Sequence, residues 1–381
     1  MIEDTDAVER VALQVRSVIG PLAARTVAPP ILQPAGLYLE LVGEDIRRSA
    51  VLTQNEALCL RPDMTIPAAR LALAIGDWSG AGFAFSYDGR VFRVEQAGAA
   101  PSEARHTGLE WYAPRAAGPR IDGAVLAAAL GACRAAGASP QLVLGCAALR
   151  AHLIGAADLP EAAARRAGRE GFPIGREQQA PSRGEEVSAF AEALLALPPD
   201  RAGEALAGVL RQAGITLVGG RTPGEIAARL RAKAATASAR IDPAMAALLS
   251  DAFRIDAEPE QAFKALAGVA LGFPQPGPIQ ERLKELQSLW RAVRAEAPAG
   301  TRFCVGFRPA FEYYDGLLFS LRGARSGAWL GGGGRYDRVL AALHQAEPSA
   351  GGDGAPDWGA AGFSLSPAAL AREHITAEAA A

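Results

Sequence analysis

The side chains able to do chemistry gather around short apolar runs. Arg61, Asp63, Thr65, Arg93, Glu95 and Glu110 lie along predicted strands or at their ends, and Glu312, Tyr313 and Tyr314 precede another strand. Any one of them reads as an ordinary solvated or paired residue, because charged side chains are mostly exposed. As a set they suit a ligand. Carboxylates, a threonine and tyrosines can accept from an α-ammonium, which donates three hydrogen bonds, and from a small polar group such as an imidazole, which donates one or two. The arginines would face a carboxylate or a phosphate. From the residues alone a second reading stays open: Asp63 and Glu110 pair with Arg61 and Arg93, since buried charges are usually paired.

Other motifs carry less. Gly331 to Gly334 form a glycine run followed by Arg335 and Tyr336. A phosphate loop needs Lys-Ser/Thr after its last glycine, and the dinucleotide fingerprint needs a glycine where Tyr336 stands. The run reads either as a strand-to-helix turn or as a backbone-lined ligand loop. His106 belongs to no H-E-x-x-H pattern and to no Ser/His/Asp set, so as a lone histidine it reads first as a hydrogen-bonded structural residue. The four cysteines, Cys59, Cys133, Cys146 and Cys304, are far apart, and only four histidines accompany them. Neither a zinc site nor a disulfide scaffold is expected, and no metal or cofactor.

To hold such residues in place the chain has 381 residues, enough for two or three domains. Hydrophobic residues make up 50% and charged residues 21%, the balance of a folded chain. A net charge of -2 excludes the globally basic surface of a dedicated nucleic-acid binder. The opening segment MIEDTDAVERVALQ carries acids where a signal peptide would be basic. No window reaches the ~18 consecutive apolar residues of a membrane span. A cytoplasmic protein without membrane association is expected.

Val8, Val11, Ala12, Val15 and Val18 predict an amphipathic helix over 6–19, and a second helix is expected over 36–47. Residues 57–60 read as a strand. Thr65 then reads as the N-cap of a helix with Pro67 in its first turn, so LRPDMT sits at a strand-to-helix junction. In GFAFSYDGRVFRVEQ (82–96), two alternating runs flank Asp88-Gly89, a hairpin signal, with 109–112 as a third strand. A helix over 123–136 and a strand over 141–144 follow. The chain then turns alanine-, arginine- and glutamate-rich and helical over about 156–270, followed by a long helix over 278–297. Strands over 303–307, 317–321 and 359–365 return near the end, with GGGGRYDRVLAAL as a glycine turn feeding a helix. Strands at both ends with helices between them predict an α+β fold, an antiparallel sheet flanked by helices. Residues 1–155 and 276–381 would form its two parts, and 156–275 a mostly helical insertion.

LRPDMTIPAAR (60–70), FRVEQ (92–96), HTGLE (106–110), EYYDGLLF (312–319) and GGGGRYDRVL (331–340) together resemble the histidine-specific class II aminoacyl-tRNA synthetases, in that family's order. The resemblance spans about residues 30–370. It implies a motif-2 arginine at Arg93 and histidine contacts at Asp63, Thr65, Glu110, Tyr313 and Tyr314. His106, which stands where the QxGxE-like motif has glutamine, would lie beside them. Three departures bear on activity. RPAFEYY has Pro309 where an adenylation-promoting arginine is expected, with Arg308 one residue early, and WGAAGFSLSPAAL has Ala369 where an adenosine-clamping arginine is expected. The chain also ends about ten residues beyond that motif, which is expected to leave no anticodon-binding domain.

With these departures, and in LRPDMT itself, the chain is similar to the regulatory subunits of ATP phosphoribosyltransferase. That similarity implies a subunit with no catalytic residues of its own, assembled with a short-form catalytic subunit that joins ATP to phosphoribosyl pyrophosphate in the first step of histidine biosynthesis. It implies that activity requires the assembly, that L-histidine acts through this chain as feedback inhibitor, and that tRNA is no partner. A homodimer within a hetero-oligomer is expected. A divergent amino-acid-activating enzyme of the synthetase type is the alternative, and a solitary amino-acid-binding module a third reading.

Overall fold

The apolar spacing at the start of the chain is realised as α1 (Thr5–Ile19), which buries Ala7, Val11, Ala12, Val15 and Ile19 on one face. The computed structural model describes residues 5–42, 49–94, 101–169, 189–215, 222–238, 241–308, 311, 313–346 and 357–378. After α1 come β1 (Arg25–Val27), β2 (Leu32–Pro34), α2 (Ala35–Val42), β3 (Val51–Leu52), β4 (Leu58–Leu60) and α3 (Thr65–Ile75). The long strands β5 (Phe83–Arg93) and β6 (Ser102–Pro114) lead into α4 (Gly118–Ala135), β7 (Pro140–Cys146) and α5 (Ala147–Ala156). Five helices follow: α6 (Glu161–Arg169), α7 (Ala189–Ala196), α8 (Pro199–Gln212), α9 (Pro223–Ser238) and α10 (Pro243–Phe253). The remainder is β8 (Asp256–Ala257), α11 (Pro259–Ala270), α12 (Gly277–Val293), β9 (Arg302–Cys304), β10 (Leu317–Gly323), β11 (Trp329–Arg335), α13 (Asp337–Ala346), β12 (Trp358–Leu365) and α14 (Pro367–Glu378).

Two compact units result, one of residues 1–149, 256–264 and 281–381, the other of 150–255 and 265–280. The first is built on a nine-stranded sheet in the order β1-β5-β6-β12-β11-β10-β7-β9-β8, with a small sheet β2-β4-β3 beside it. The large sheet is mainly antiparallel, but β1 on β5 and β7 on β9 run parallel, so it is mixed. Helix α4 packs against β6, β11 and β12, and α1 against α4 and α14, while α13 packs on α3. In the second unit Leu194, Ala202, Leu206 and Ala227 of α7, α8 and α9 form a small core. Asp242 caps α10 by accepting from the N–H groups of Ala244 and Met245. Among the described residues no helix is long and apolar enough to cross a membrane.

Three local expectations are corrected. Asp88-Gly89 makes no hairpin: β5 runs straight through it, Asp88 opposite Thr107 and Gly89 opposite His106 on β6. Gly89 serves a close approach instead, since a Cβ there would stand 2.5 Å from a terminal nitrogen of Arg61. The glycine run is not a turn but the middle of β11, paired on both sides with β10 and β12. A Cβ would meet a backbone carbonyl at each position, for example Gly362 O at 2.1 Å from Gly333 and Leu317 O at 2.4 Å from Gly334. Finally, Met64 rather than Thr65 is the N-cap of α3, and no side chain caps it. Thr65 is the first helical residue, and its hydroxyl donates elsewhere.

Candidate functional site

The junction between β4 and α3 carries Arg61, Asp63 and Thr65 into the first unit's core. Arg61 is buried and spends its donors on carbonyls, Nε to Arg90 O at 2.7 Å and Nη1 to Pro29 O. These two bonds tie the junction to neighbouring chain. Asp63 is only 4% exposed. Its Oδ1 lies 3.3 Å from the Tyr38 hydroxyl and 3.4 Å from the Ile66 N–H. Its Oδ2 is buried with no hydrogen-bond partner among the described residues. Burial raises the Asp63 pKa, and Arg93 and the Tyr313 hydroxyl oppose the rise.

Glu110 sits mid-strand on β6, between Phe85 of β5 and Gly362 of β12, and is 0% exposed. Oε1 accepts from Thr65 Oγ1 at 2.9 Å and from the Tyr87 hydroxyl at 3.3 Å, and Oε2 from the Tyr336 hydroxyl at 2.6 Å. Its partners are hydroxyls, so the reading in which Glu110 merely pairs with an arginine does not describe it. Burial pushes the carboxyl up to about 8, against the Tyr336 and Thr65 hydrogen bonds, with the Asp63 charge adding to the rise. Gly362 makes the room, because a Cβ there would fall 1.7 Å from Oε2.

Tyr313 is buried and stacks on Phe311 at 5.6 Å, with Tyr314 at 4.8 Å and Tyr336 at 6.2 Å between ring centres. Arg93 donates Nε to Pro62 O at 2.6 Å and lies 4.6 Å over the Phe311 ring. His106 shares the Glu110 face of β6, four residues away, since side chains alternate along a strand. It is 4% exposed and tilted against Trp329 at 5.6 Å. Burial first, then the Arg93 charge, pushes its pKa down to about 3, so it is neutral. Thus Asp63, Thr65, Arg93, Glu110, Tyr313 and Tyr314 converge in the first unit, with His106 farther along the same face. Glu95, Pro309 and Glu312 lie outside the described residues. Ala369 is buried in the first turns of α14.

Tyr38, Tyr87 and Tyr336 touch the two carboxyl groups and were not singled out in the sequence. Tyr336 had a signal, as it lies two residues after the glycine run. Chemically, the site offers two buried carboxyl groups ringed by hydroxyls: acceptors for a small cationic group and donors for a polar ring. The cysteine thiols are all buried, with pKa values pushed up by burial to about 11 at Cys59 and Cys146 and about 12 at Cys133 and Cys304, which makes them poor nucleophiles. Among the described residues no group of three or more His, Cys, Asp or Glu could hold a metal ion.

The histidyl-tRNA synthetase family profile matches residues 3–169 and 224–369. An ATP phosphoribosyltransferase regulatory subunit of Brucella anthropi is 30% identical over 351 residues, 87% of this chain and 91% of that one. The protein of the same name from Mesorhizobium japonicum is 30% identical over 353 residues, with the same coverage of 87% and 91%. Among solved structures, an ATP phosphoribosyltransferase regulatory subunit/histidyl-tRNA synthetase from Bacillus halodurans superposes with a TM-score of 0.64 at 20% identity, covering 97% of this chain and 79% of that one. A histidyl-tRNA synthetase from Nostoc does so with 0.62 at 12% identity, covering 99% and 73%. At these identities the superpositions establish the fold.

Proposed function

The chain belongs to the ATP phosphoribosyltransferase regulatory subunits, a family that shares the histidyl-tRNA synthetase fold, and from that premise we propose that it is a non-catalytic subunit sensing free L-histidine at Asp63 and Glu110. The observation that carries this reading is the pair of buried carboxyl groups, Glu110 served by hydroxyls and Asp63 with one oxygen unpartnered among the described residues. A buried acceptor without a donor costs its desolvation, on the order of 1–3 kcal/mol. An α-ammonium beside Asp63 would recover that cost. Thr65 and the tyrosines would fix the orientation, and Glu110 would accept from an imidazole N–H while Tyr313 or Tyr314 serves the other ring nitrogen. Amino acids without a polar ring would leave these groups unpaired and be rejected.

In this reading the partner is a short-form ATP phosphoribosyltransferase catalytic subunit in the first step of histidine biosynthesis, in the cytoplasm. This chain forms a homodimer within the hetero-oligomer, supports catalysis and transmits inhibition by histidine. Pro309 and Ala369 support the absence of catalysis by the chain itself. Each replaces a cation expected to stabilise phosphate charge during adenylation, and losing one such group commonly costs two or more orders of magnitude in rate.

Mixing the two purified subunits tests the proposal. Co-elution, phosphoribosyl transfer that needs the mixture, and inhibition by histidine that Glu110→Ala or Tyr313→Phe weakens are expected. A fully active catalytic chain that never co-migrates with this one would overturn the partner assignment. Robust histidine-dependent ATP-pyrophosphate exchange by this chain alone would restore the amino-acid-activating alternative.

A further inference from the structure

A second polar site lies on the other face of the large sheet. Gly334, Gly362 and Glu110 share one face by register, so the next residue after Gly334, Arg335, projects from the opposite one. There it lies in the wall of a cavity of about 440 Å³ within the first unit. Arg335 is fully engaged: Nη2 lies 2.8 Å from Asp122 and donates to Gly118 O at 2.6 Å, and Nη1 meets Asp337 at 3.0 Å.

The other carboxylates in the wall are also occupied. Asp337 accepts from the Ala360 N–H at 2.9 Å, Asp315 accepts from the N–H groups of residues 337 and 338 at 3.1 and 2.6 Å, and Glu285 pairs with Arg282 at 2.6 Å. The remaining guanidinium groups have donors to spare. Arg282 Nε is buried without a hydrogen-bond partner. Among the described residues, Arg115 gives only its Nε, to Trp358 O at a long 3.4 Å. Arg338 makes only marginal contacts, Nη2 to Tyr314 O at 3.5 Å and Nε 3.6 Å from Asp315. Among the described residues, these three guanidinium groups have donors that no protein acceptor takes up, and the Arg338 side chain is 72% exposed at the mouth.

We infer that the cavity binds a small phosphate monoester, its phosphate held by Arg115, Arg282 and Arg338 and its organic part lying along α12. Three planar forks from three different elements match a tetrahedral oxyanion, whereas a carboxylate has only two oxygens in one plane. The volume lies in the range of about 300–1,000 Å³ typical of small-molecule sites and exceeds what a lone phosphate fills. Leu286 and Leu289 of α12 offer an apolar wall for the remainder. The site is separate from the histidine reading, since it uses other residues on the opposite face.

Calorimetry on the full chain without histidine tests it, with ribose 5-phosphate and inorganic phosphate as probes and ribose as the neutral control. Saturable binding of ribose 5-phosphate, weaker binding of phosphate and none of ribose are expected. Arg115→Gln and Arg282→Gln should each weaken ribose 5-phosphate about tenfold, the scale of one lost hydrogen bond to a charged group. Arg282→Lys, which keeps the charge but loses the fork, should fall between them and wild type. Heats no larger than those of ribose, or wild-type affinity in both glutamine variants, would overturn the assignment. Should a glutamine variant fail to fold, Arg282→Lys decides: unchanged affinity overturns the site, reduced affinity supports it.

Discussion

Burial pushes the Glu110 carboxyl up to about 8 although Tyr336 and Thr65 donate to it, so the folded chain keeps a proton there that the unfolded chain releases near the ordinary value of 4.5. That proton stabilises the fold fully below about 4.5, and its contribution is lost as the pH rises to about 8. His106 acts in the opposite sense. Held neutral down to about 3 instead of 6.5, it costs stability as the pH falls below 6.5, where only the unfolded chain takes up the proton. The two slopes oppose one another between 4.5 and 6.5, and above 6.5 that of Glu110 continues without His106. The histidine-free chain should therefore lose about 2 kcal/mol of stability between pH 6.5 and 8. Glu110→Gln should flatten that segment of a Tm-against-pH profile; parallel profiles for the two proteins would contradict the buried-proton account. Asp63, Thr65 and Glu110 were legible in the sequence because their motifs occur in order. Tyr87 was not, because its reach to Glu110 depends on pairing opposite Gly108, where a Cβ would stand 2.6 Å from its hydroxyl.

At the scale of elements, the same residue type means different things on either side of a backbone. Gly333 lies between β10 and β12, where an added methyl would meet Gly362 O at 2.1 Å and Phe363 Cα at 2.7 Å, neither of which can swing aside. Gly208 lies inside α8 with nothing within 4 Å of a new Cβ. Gly333→Ala should thus destabilise the chain by about 1–3 kcal/mol through overpacking, while Gly208→Ala should stabilise its helix by about 0.5–1 kcal/mol through reduced backbone entropy. Chemical denaturation of both variants checks the opposite signs, and a stabilised Gly333→Ala would refute the close approach of β11 and β12. These contacts also explain what the sequence hid. A glycine run and an Asp-Gly pair are local turn signals, yet both occur here inside strands because neighbours from distant parts of the chain press on them. The helical character of the stretch that holds α7 to α10 was readable because a helix-favouring composition is a local property. The two-residue strand β8, fixed only by pairing with β9, has no periodicity to read.

For the whole molecule, a sensor that does no chemistry can act only through a difference in affinity between two states of its assembly. If histidine at Asp63 and Glu110 favours an inhibited state of the complex, linkage makes the effect reciprocal: substrate bound to the catalytic subunit must weaken histidine binding by the factor by which histidine weakens substrate binding. Such coupling is typically about 1–3 kcal/mol, or roughly 5- to 150-fold in affinity. Two titrations on the assembled complex measure it, histidine with and without phosphoribosyl pyrophosphate, and phosphoribosyl pyrophosphate with and without histidine. The two factors should agree, and both should collapse toward one in a complex carrying Glu110→Gln, while the free subunits, having no shared states, show no such dependence. Histidine that inhibits and binds the Glu110→Gln complex as it does the wild-type complex would place the inhibitory site somewhere other than this chain's buried carboxyl pair.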